Sequence, residues 1–156
     1  MRHASAADVA PSDAERPLTP AGRDEASVTG RALLKLGANP TTILSSPLLR
    51  ARETATIVAR ELGLPSEIIP CDLLANSHTT TDLLRALQRP QPPREALLVG
   101  HMPGVADDLA VILGTESASG LSFGRATIAC VELARPLAGH GELVWFLHQK
   151  QQRLLL

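Results

Sequence analysis

The chain has no tyrosine, one tryptophan (Trp145) and two phenylalanines (Phe123 and Phe146) among its 156 residues. A core with so few rings must be Leu, Val, Ile and Ala, and stacking on nucleic-acid bases has no aromatic platform to use. An excess of either charge is also missing. The formal net charge is −1, which leaves no basic field to hold a phosphodiester backbone, so nucleic acid is not an expected partner. No apolar run approaches the ~18 residues of a membrane span. The first residues hold no apolar stretch of the signal-peptide kind. Neither a membrane nor an export route is expected, and the expected location is cytoplasmic. Cysteine is scarce. Cys71 and Cys130 stand far apart with no CxxC spacing, so two buried, reduced thiols are expected rather than a disulfide frame. The length suits one domain over residues 1–156, large enough to bury a core without staples.

What is present is a regular alternation of elements. Residues 1–18 are polar and Ala-rich and read as a loop. "TPAGRDEASVTGRALLKLG" reads as a helix, with Thr19 as N-cap, Pro20 at the first helical position and Gly37 as the stop. Asp24 and Glu25 fall in its early turns, where the helix dipole favours acid. Val28, Ala32 and Leu36 mark one face. "TTILSS" is a β-branched run expected as a buried strand. "PLLRARETATIVARELG" is a second helix, with Leu48, Ala51, Ala55, Val58 and Leu62 repeating at three and four. "SEIIPC" is a weak strand, and "TTDLLRALQ" a short helix closed by Pro90, Pro92 and Pro93. "EALLVGH" is a strand apolar throughout, as if covered on both faces. "PGVADDLAVILG" is a third long helix. "TIACVEL" and "ELVWFLH" are closing strands, expected as neighbours and connected through Pro136 and Gly139 to Gly141. This order predicts a three-layer α/β/α sandwich with a mostly parallel central sheet.

Ligands of open α/β sheets bind at the carboxyl ends of strands. There the polar residues gather. "TTILSSPLLRARETA" places Ser45 and Ser46 at one strand end, with Arg50 about one turn into the next helix. "LLVGHMPG" places His101 at another. "MRHA" places Arg2 and His3 at a third, if a strand precedes them. Two arginines and two histidines in one pocket suit a dianionic phosphoryl group. Arginine offers forked donors to its oxygens, helix N-termini add partial positive charge, and a neutral imidazole can attack phosphorus. No HxxH, CxxC or spaced carboxylate cluster suggests a metal, and no cofactor is expected.

"RHA", "RPLTPAGR", "SSPLLRARETA" and "VGHMPG", in that order, resemble the histidine phosphatase superfamily, which is phosphoglycerate mutase-like in fold. Ala4 after the Arg-His pair, and "GLSFGRATIACVEL" late in the chain, are similar to its small SixA-type phosphohistidine phosphatase branch. The resemblance spans nearly the whole chain. It implies His3 as the nucleophile that becomes phosphorylated, with Arg2, Arg50 and His101 gripping the phosphoryl oxygens. It implies Arg16 beside the pocket, held by Asp13, and Ser46 contributing a hydroxyl or a backbone N–H. Taken alone, Arg50 would read as a surface residue and Arg16 as a structural salt bridge with Asp13 or Glu15. His78, His140 and His148 carry no motif and read as structural, although the loop of His78 can reach the pocket mouth.

Two departures from the family pattern bear on function. The region that supplies a general acid in many members reads "CDLLANSHTTTD", where Asp72 is the nearest candidate and Asp8 and His78 are rivals. Imidazole is a good leaving group, so a weak acid costs little on phosphohistidine and much on an alkyl ester. The chain also has no room for the large insertions that wrap small substrates in other members. The expected substrate is therefore a phosphorylated protein carrying phosphohistidine. A small phosphorylated substrate, hydrolysed or isomerised, and a phosphate-binding module without turnover remain alternatives. The second departure is that family members carry an apolar strand ahead of the Arg-His pair, whereas only Met1 stands there. Either the start lies about one strand's length too far downstream, or the first strand is truncated, with a gap in mid-sheet, a loose N-terminus and reduced activity. With no heptad or large apolar patch, a monomer is expected.

Overall fold

The computed structural model describes residues 1–64, 68–75, 78–88, 93–133 and 141–156. Pro90, Pro92, Pro136, Gly139, His140 and the first residues of "SEIIPC" lie outside them.

Helix α1 (Pro20–Lys35) begins as its sequence directs. The Thr19 hydroxyl accepts the Gly22 N–H at 3.0 Å, Pro20 opens the helix, and Gly37 beyond its end takes φ +78°. The acidic residues serve differently from expectation, because neither lies in the first turn. Glu25 accepts both the N–H and the hydroxyl of Ser5, at 2.8 and 2.9 Å, and Asp24 pairs with Arg153. Glu25 thus tethers the N-terminal segment to α1. The two approach so closely that a Cβ on Gly22 would lie 1.9 Å from the Ser5 carbonyl oxygen, so only glycine fits. Val28 and Ala32 are buried, but Leu36, beyond the last turn, is 39% exposed.

Strand β1 (Thr42–Ser45) leads to α2 (Leu49–Glu61), whose Ala51, Ala55 and Val58 are fully buried, as their spacing predicts. Next come β2 (Ile69–Pro70), α3 (Thr80–Leu87), β3 (Ala96–Val99), α4 (Gly104–Leu113), β4 (Ile128–Leu133), β5 (Gly141–Leu147) and α5 (Gln149–Leu154). Strands β2, β1 and β3 pair in parallel in that order, while β4 and β5 form an antiparallel pair. Successive residues of a strand face opposite sides. Ile43 joins a core with Ala26, Leu33, Ala55 and Val58 of α1 and α2, while Leu44 joins Leu74 and Leu83 on the other side. Helix α5 packs on α1, and α3 on α4.

Between β3 and β4 the described strands are joined by residues 1–3. The segment is held on both sides rather than loose. The Gly100 N–H donates to the Met1 carbonyl at 3.1 Å, the His3 N–H to the Gly100 carbonyl at 3.0 Å, and the Arg2 N–H to the Thr127 carbonyl at 3.1 Å. Ala96, Leu97 and Leu98 are half-buried rather than covered on both faces. Cys71 and Cys130 are also half-buried, as free thiols. Helix α5 has no counterpart in the sequence pattern. Its six polar-rich residues are too few to form a helix alone, and they are fixed by Gln152. That side chain is fully buried and donates to the carbonyls of Ala126 and Leu147 at 2.9 and 3.0 Å.

Candidate active site

Four segments meet where the parallel strands end. Residues 2–3 hang on Gly100 at the end of β3. Ser46 follows β1, with its backbone N–H donating to the Val99 carbonyl at 2.9 Å. Arg50 stands in the first turn of α2, and His101 follows Gly100. His3, Arg50 and Ser46 are all buried.

The His3 and His101 rings lie with centroids 4.8 Å apart and planes tilted by 54°. His3 Nδ1 is 2.7 Å from the Ala4 carbonyl oxygen. A carbonyl only accepts, so Nδ1 carries the proton and Nε2 keeps its lone pair. Burial drives the His3 pKa down from 6.5 to about 3; the Ala4 contact opposes this, while His101, Arg50 and Arg125 add to it. His101 falls to about 4, first through burial and then through Arg50. Both imidazoles are therefore neutral near neutral pH. His101 Nε2 shares a 2.8 Å hydrogen bond with the Ser46 hydroxyl.

Arg50 donates from Nη1 to the Asp13 carbonyl at 2.6 Å and from Nη2 to its carboxylate at 3.0 Å. Arg16 reaches the other oxygen of that carboxylate at 3.1 Å and the Ala7 carbonyl from Nε at 2.6 Å. Held first by Arg50 and then by Arg16, the Asp13 carboxyl stays below its ordinary pKa. Asp13 therefore orders both arginines. Arg2 donates from Nη1 to the Phe123 carbonyl at 2.8 Å, and its buried Nε has no partner among the described residues. Burial, then Arg125, lowers the Arg2 pKa. The Ala4 N–H is held by the Thr54 hydroxyl at 3.1 Å, and that hydroxyl donates to the Arg50 carbonyl at 2.6 Å. One buried threonine thus fixes the His3 segment to the helix of Arg50.

His3, Arg2, Arg50, His101, Ser46 and Arg16 are thus brought to one region. Asp72 is not. Itself exposed, it opens a 3-10 turn (Asp72–Leu74) whose buried Leu74, with Ala75 just beyond, lines a cleft of about 280 Å³ beside His101, while the Asp72 side chain does not. Asp8 is an exposed partner of Arg16 at 3.7 Å. Of the rivals only His78 faces the cleft, and its Nε2 meets the Asp108 carboxylate at 3.1 Å. Asp108 also accepts from the Thr80 hydroxyl at 2.8 Å. Ser46 has no backbone N–H to offer, because strand pairing uses it. Its hydroxyl bonds His101 Nε2 at 2.8 Å and accepts the Leu48 N–H at 3.3 Å. His148 caps α5, with Nδ1 3.1 Å from the Thr127 hydroxyl. Among the described residues no group of three His, Cys, Asp or Glu side chains is spaced to hold a metal ion, and no helix is long and apolar enough to cross a membrane.

Sequence reasoning passed over Arg125, Asp108 and Thr54. A signal existed for two of them. Thr54 and Asp108 are polar residues on otherwise apolar helix faces, which predicts a specific buried partner. Arg125 carried none.

The lowered imidazole pKa values have a consequence for stability. The unfolded chain takes up protons at both histidines near 6.5, whereas the folded chain resists until about 3 and about 4. Stability is therefore expected to fall as pH drops from about 6.5 toward 4. The window of Asp13, whose carboxyl is lowered from 3.8, lies further down. Thermal unfolding across this range checks the sign. The His3→Gln, His101→Gln double variant should show a shallower fall, and an equally steep one counts against the assignment.

Comparison with known proteins points the same way. Residues 1–75 match the family model of the histidine phosphatase superfamily, branch 1. An uncharacterized protein of Picosynechococcus sp. is 38% identical over 112 residues, covering 69% of this chain and 67% of that one. The mitochondrial serine/threonine-protein phosphatase Pgam5 of Drosophila ananassae is 35% identical over 102 residues, 65% of this chain; the match spans 31% of that longer protein. Among solved structures, the protein histidine phosphatase SixA complexed with tungstate superposes with a TM-score of 0.87 at 29% identity, covering 97% of this chain and 96% of that one. With the motifs, the converging histidines and the whole-chain superposition in agreement, this chain belongs to the histidine phosphatase superfamily, in its SixA-type branch.

Proposed function

We propose that the protein hydrolyses phosphohistidine on a phosphorylated protein through a phospho-His3 intermediate. The observation that carries this reading is the buried, neutral His3, whose Nδ1 is tied to Ala4 and whose Nε2 lone pair is left available beside cationic donors. In the first step Nε2 attacks phosphorus. The P–N bond to the substrate imidazole breaks, and that imidazole leaves with the electron pair, already protonated on its other nitrogen. Arg2, Arg50 and His101 hold the phosphoryl oxygens as charge shifts among them. In the second step water attacks the phospho-His3 phosphorus, releasing inorganic phosphate and restoring the neutral ring.

The cleft beside His101 supports an imidazole as the leaving group. Met102, Pro103 and Val105 give it apolar walls, and Asp107 and Asp108 give it carboxylates. An imidazole fits such walls, whereas a sugar acid or second phosphate would meet like charge. A leaving group of this kind also needs little help from an acid, and the Asp72 side chain lies outside the cleft. A monomer acting in the cytoplasm accords with this reading.

The test is labelling with a phosphodonor, quenched in alkaline detergent, followed by a substrate panel. Labelling should give an acid-labile, base-stable phosphoryl group on His3. A phosphohistidine peptide should exceed phosphoserine peptides and sugar phosphates in kcat/KM by about tenfold or more. A sugar phosphate that outperforms phosphohistidine would replace this reading with a small-molecule phosphatase. Absence of both label and turnover would leave a phosphate-binding module.

A further inference from the structure

The turn that leads into β4 is built around the active site. The Thr127 N–H donates to the Gly124 carbonyl at 3.1 Å, so residues 124–127 close a tight turn with Arg125 and Ala126 at its centre. Ala126 is fully buried and adopts φ +51°, a left-handed conformation that a residue with a Cβ resists. The turn is clamped all the same. The Ala126 N–H donates to the His3 carbonyl at 3.2 Å, and the Ala126 carbonyl accepts from Gln152 Nε2 at 2.9 Å. One residue on, the Thr127 carbonyl holds the Arg2 N–H. Whatever stands at the tip is therefore fixed against the backbone of both Arg2 and His3. That residue is Arg125, and its side chain is exposed.

Six arginines, Arg16, Arg23, Arg50, Arg60, Arg85 and Arg153, each pair with a carboxylate. Among the described residues neither Arg125 nor its neighbour Arg2 does. The charge of Arg125 acts on Arg2 and His3, where it opposes further positive charge, and it is not among the groups that act on His101. An unpaired cation beside other cations is unfavourable in an empty site and becomes favourable when an anion arrives.

We infer that Arg125 is a phosphoryl-binding residue: from the turn that borders Arg2 and His3, its guanidinium pairs with an oxygen of the incoming phosphoryl group. This rests on the phosphoryl-transfer reading above. Half-buried Arg2 and buried Arg50, each held by a backbone carbonyl, are in place before the substrate arrives, whereas exposed Arg125 is ordered by it. The contribution of Arg125 therefore falls on binding more than on the chemical step. Being exposed, it is also screened by salt.

The test uses the full chain with Arg125→Ala and Arg125→Lys. Calorimetry with inorganic phosphate should show Kd rising about tenfold in Arg125→Ala, the value of one partly screened charge-assisted bond. Arg125→Lys should keep most of the affinity. In turnover the loss should appear in KM, and kcat/KM should respond less steeply to added salt. Unchanged phosphate affinity in Arg125→Ala overturns the inference, as does a defect confined to kcat. Phosphate binding is read without turnover. A chain that hydrolyses nothing yet loses phosphate affinity in Arg125→Ala supports the inference while overturning the hydrolytic reading, and a wild-type chain that binds no phosphate overturns both.

Discussion

His3→Ala should lower turnover by about four powers of ten or more and remove the acid-labile phosphoryl label. Among the described residues no second group is placed to substitute. His101 is the nearest imidazole, but its Nε2 is engaged by the Ser46 hydroxyl at 2.8 Å. The backbone contacts of residue 3, to Gly100 and Ala126, do not need the ring, so the variant should stay folded with its arginines in place. Removing a buried ring leaves a cavity, and Tm should drop modestly. Three measurements answer the question together: turnover on a phosphohistidine peptide, the label after an alkaline quench, and phosphate binding. Lost turnover and label with retained phosphate binding is the expected pattern, because the cradle survives without its nucleophile. Wild-type turnover in a folded His3→Ala chain would remove the covalent mechanism altogether.

The parts of this site that were legible in the sequence are those set by strand ends. Ser46, Arg50 and His101 sit just after apolar strands, so topology alone brings them together. His3 was legible by its motif, although residues 1–18 read as a loop, because the contacts of that segment are to Gly100, Thr127 and Thr54, far away in the chain. Asp72 shows the opposite case. Its position along the chain was suitable, but a 3-10 turn leaves its side chain exposed while Leu74 and Ala75 line the cleft. Spacing does not encode that rotation. Helix α5 was invisible for a thermodynamic reason: its stability comes from Gln152 binding Ala126 and Leu147, not from propensity or an apolar stripe. Asp24 and Glu25 were read as dipole partners, yet the structure uses Glu25 to hold Ser5. A local rule gave way to a tertiary contact.

Arg50→Ala should cost about two to three powers of ten in kcat/KM. The guanidinium offers about two charge-assisted contacts at roughly 1.5–3 kcal/mol each, reduced because Arg2 and His101 partly cover for it. The loss should be larger in kcat than in KM, since Arg50 is buried and pre-ordered by Asp13 and acts on charge developing at phosphorus. Arg50→Lys should recover little, because an ammonium cannot reproduce the two-pronged geometry by which Nη1 and Nη2 are now held. Asp13→Asn provides the decisive comparison. Asp13 orders Arg50 but is itself an exposed carboxylate shared with Arg16. If Asp13 only positions Arg50, Asp13→Asn should show a smaller defect than Arg50→Ala, and adding Asp13→Asn to Arg50→Ala should cost almost nothing more. Full additivity of the two defects would mean that Asp13 acts independently of Arg50. A folded Arg50→Ala chain with wild-type kcat/KM would mean that Arg50 serves Asp13 and the loop around it, not the phosphoryl group.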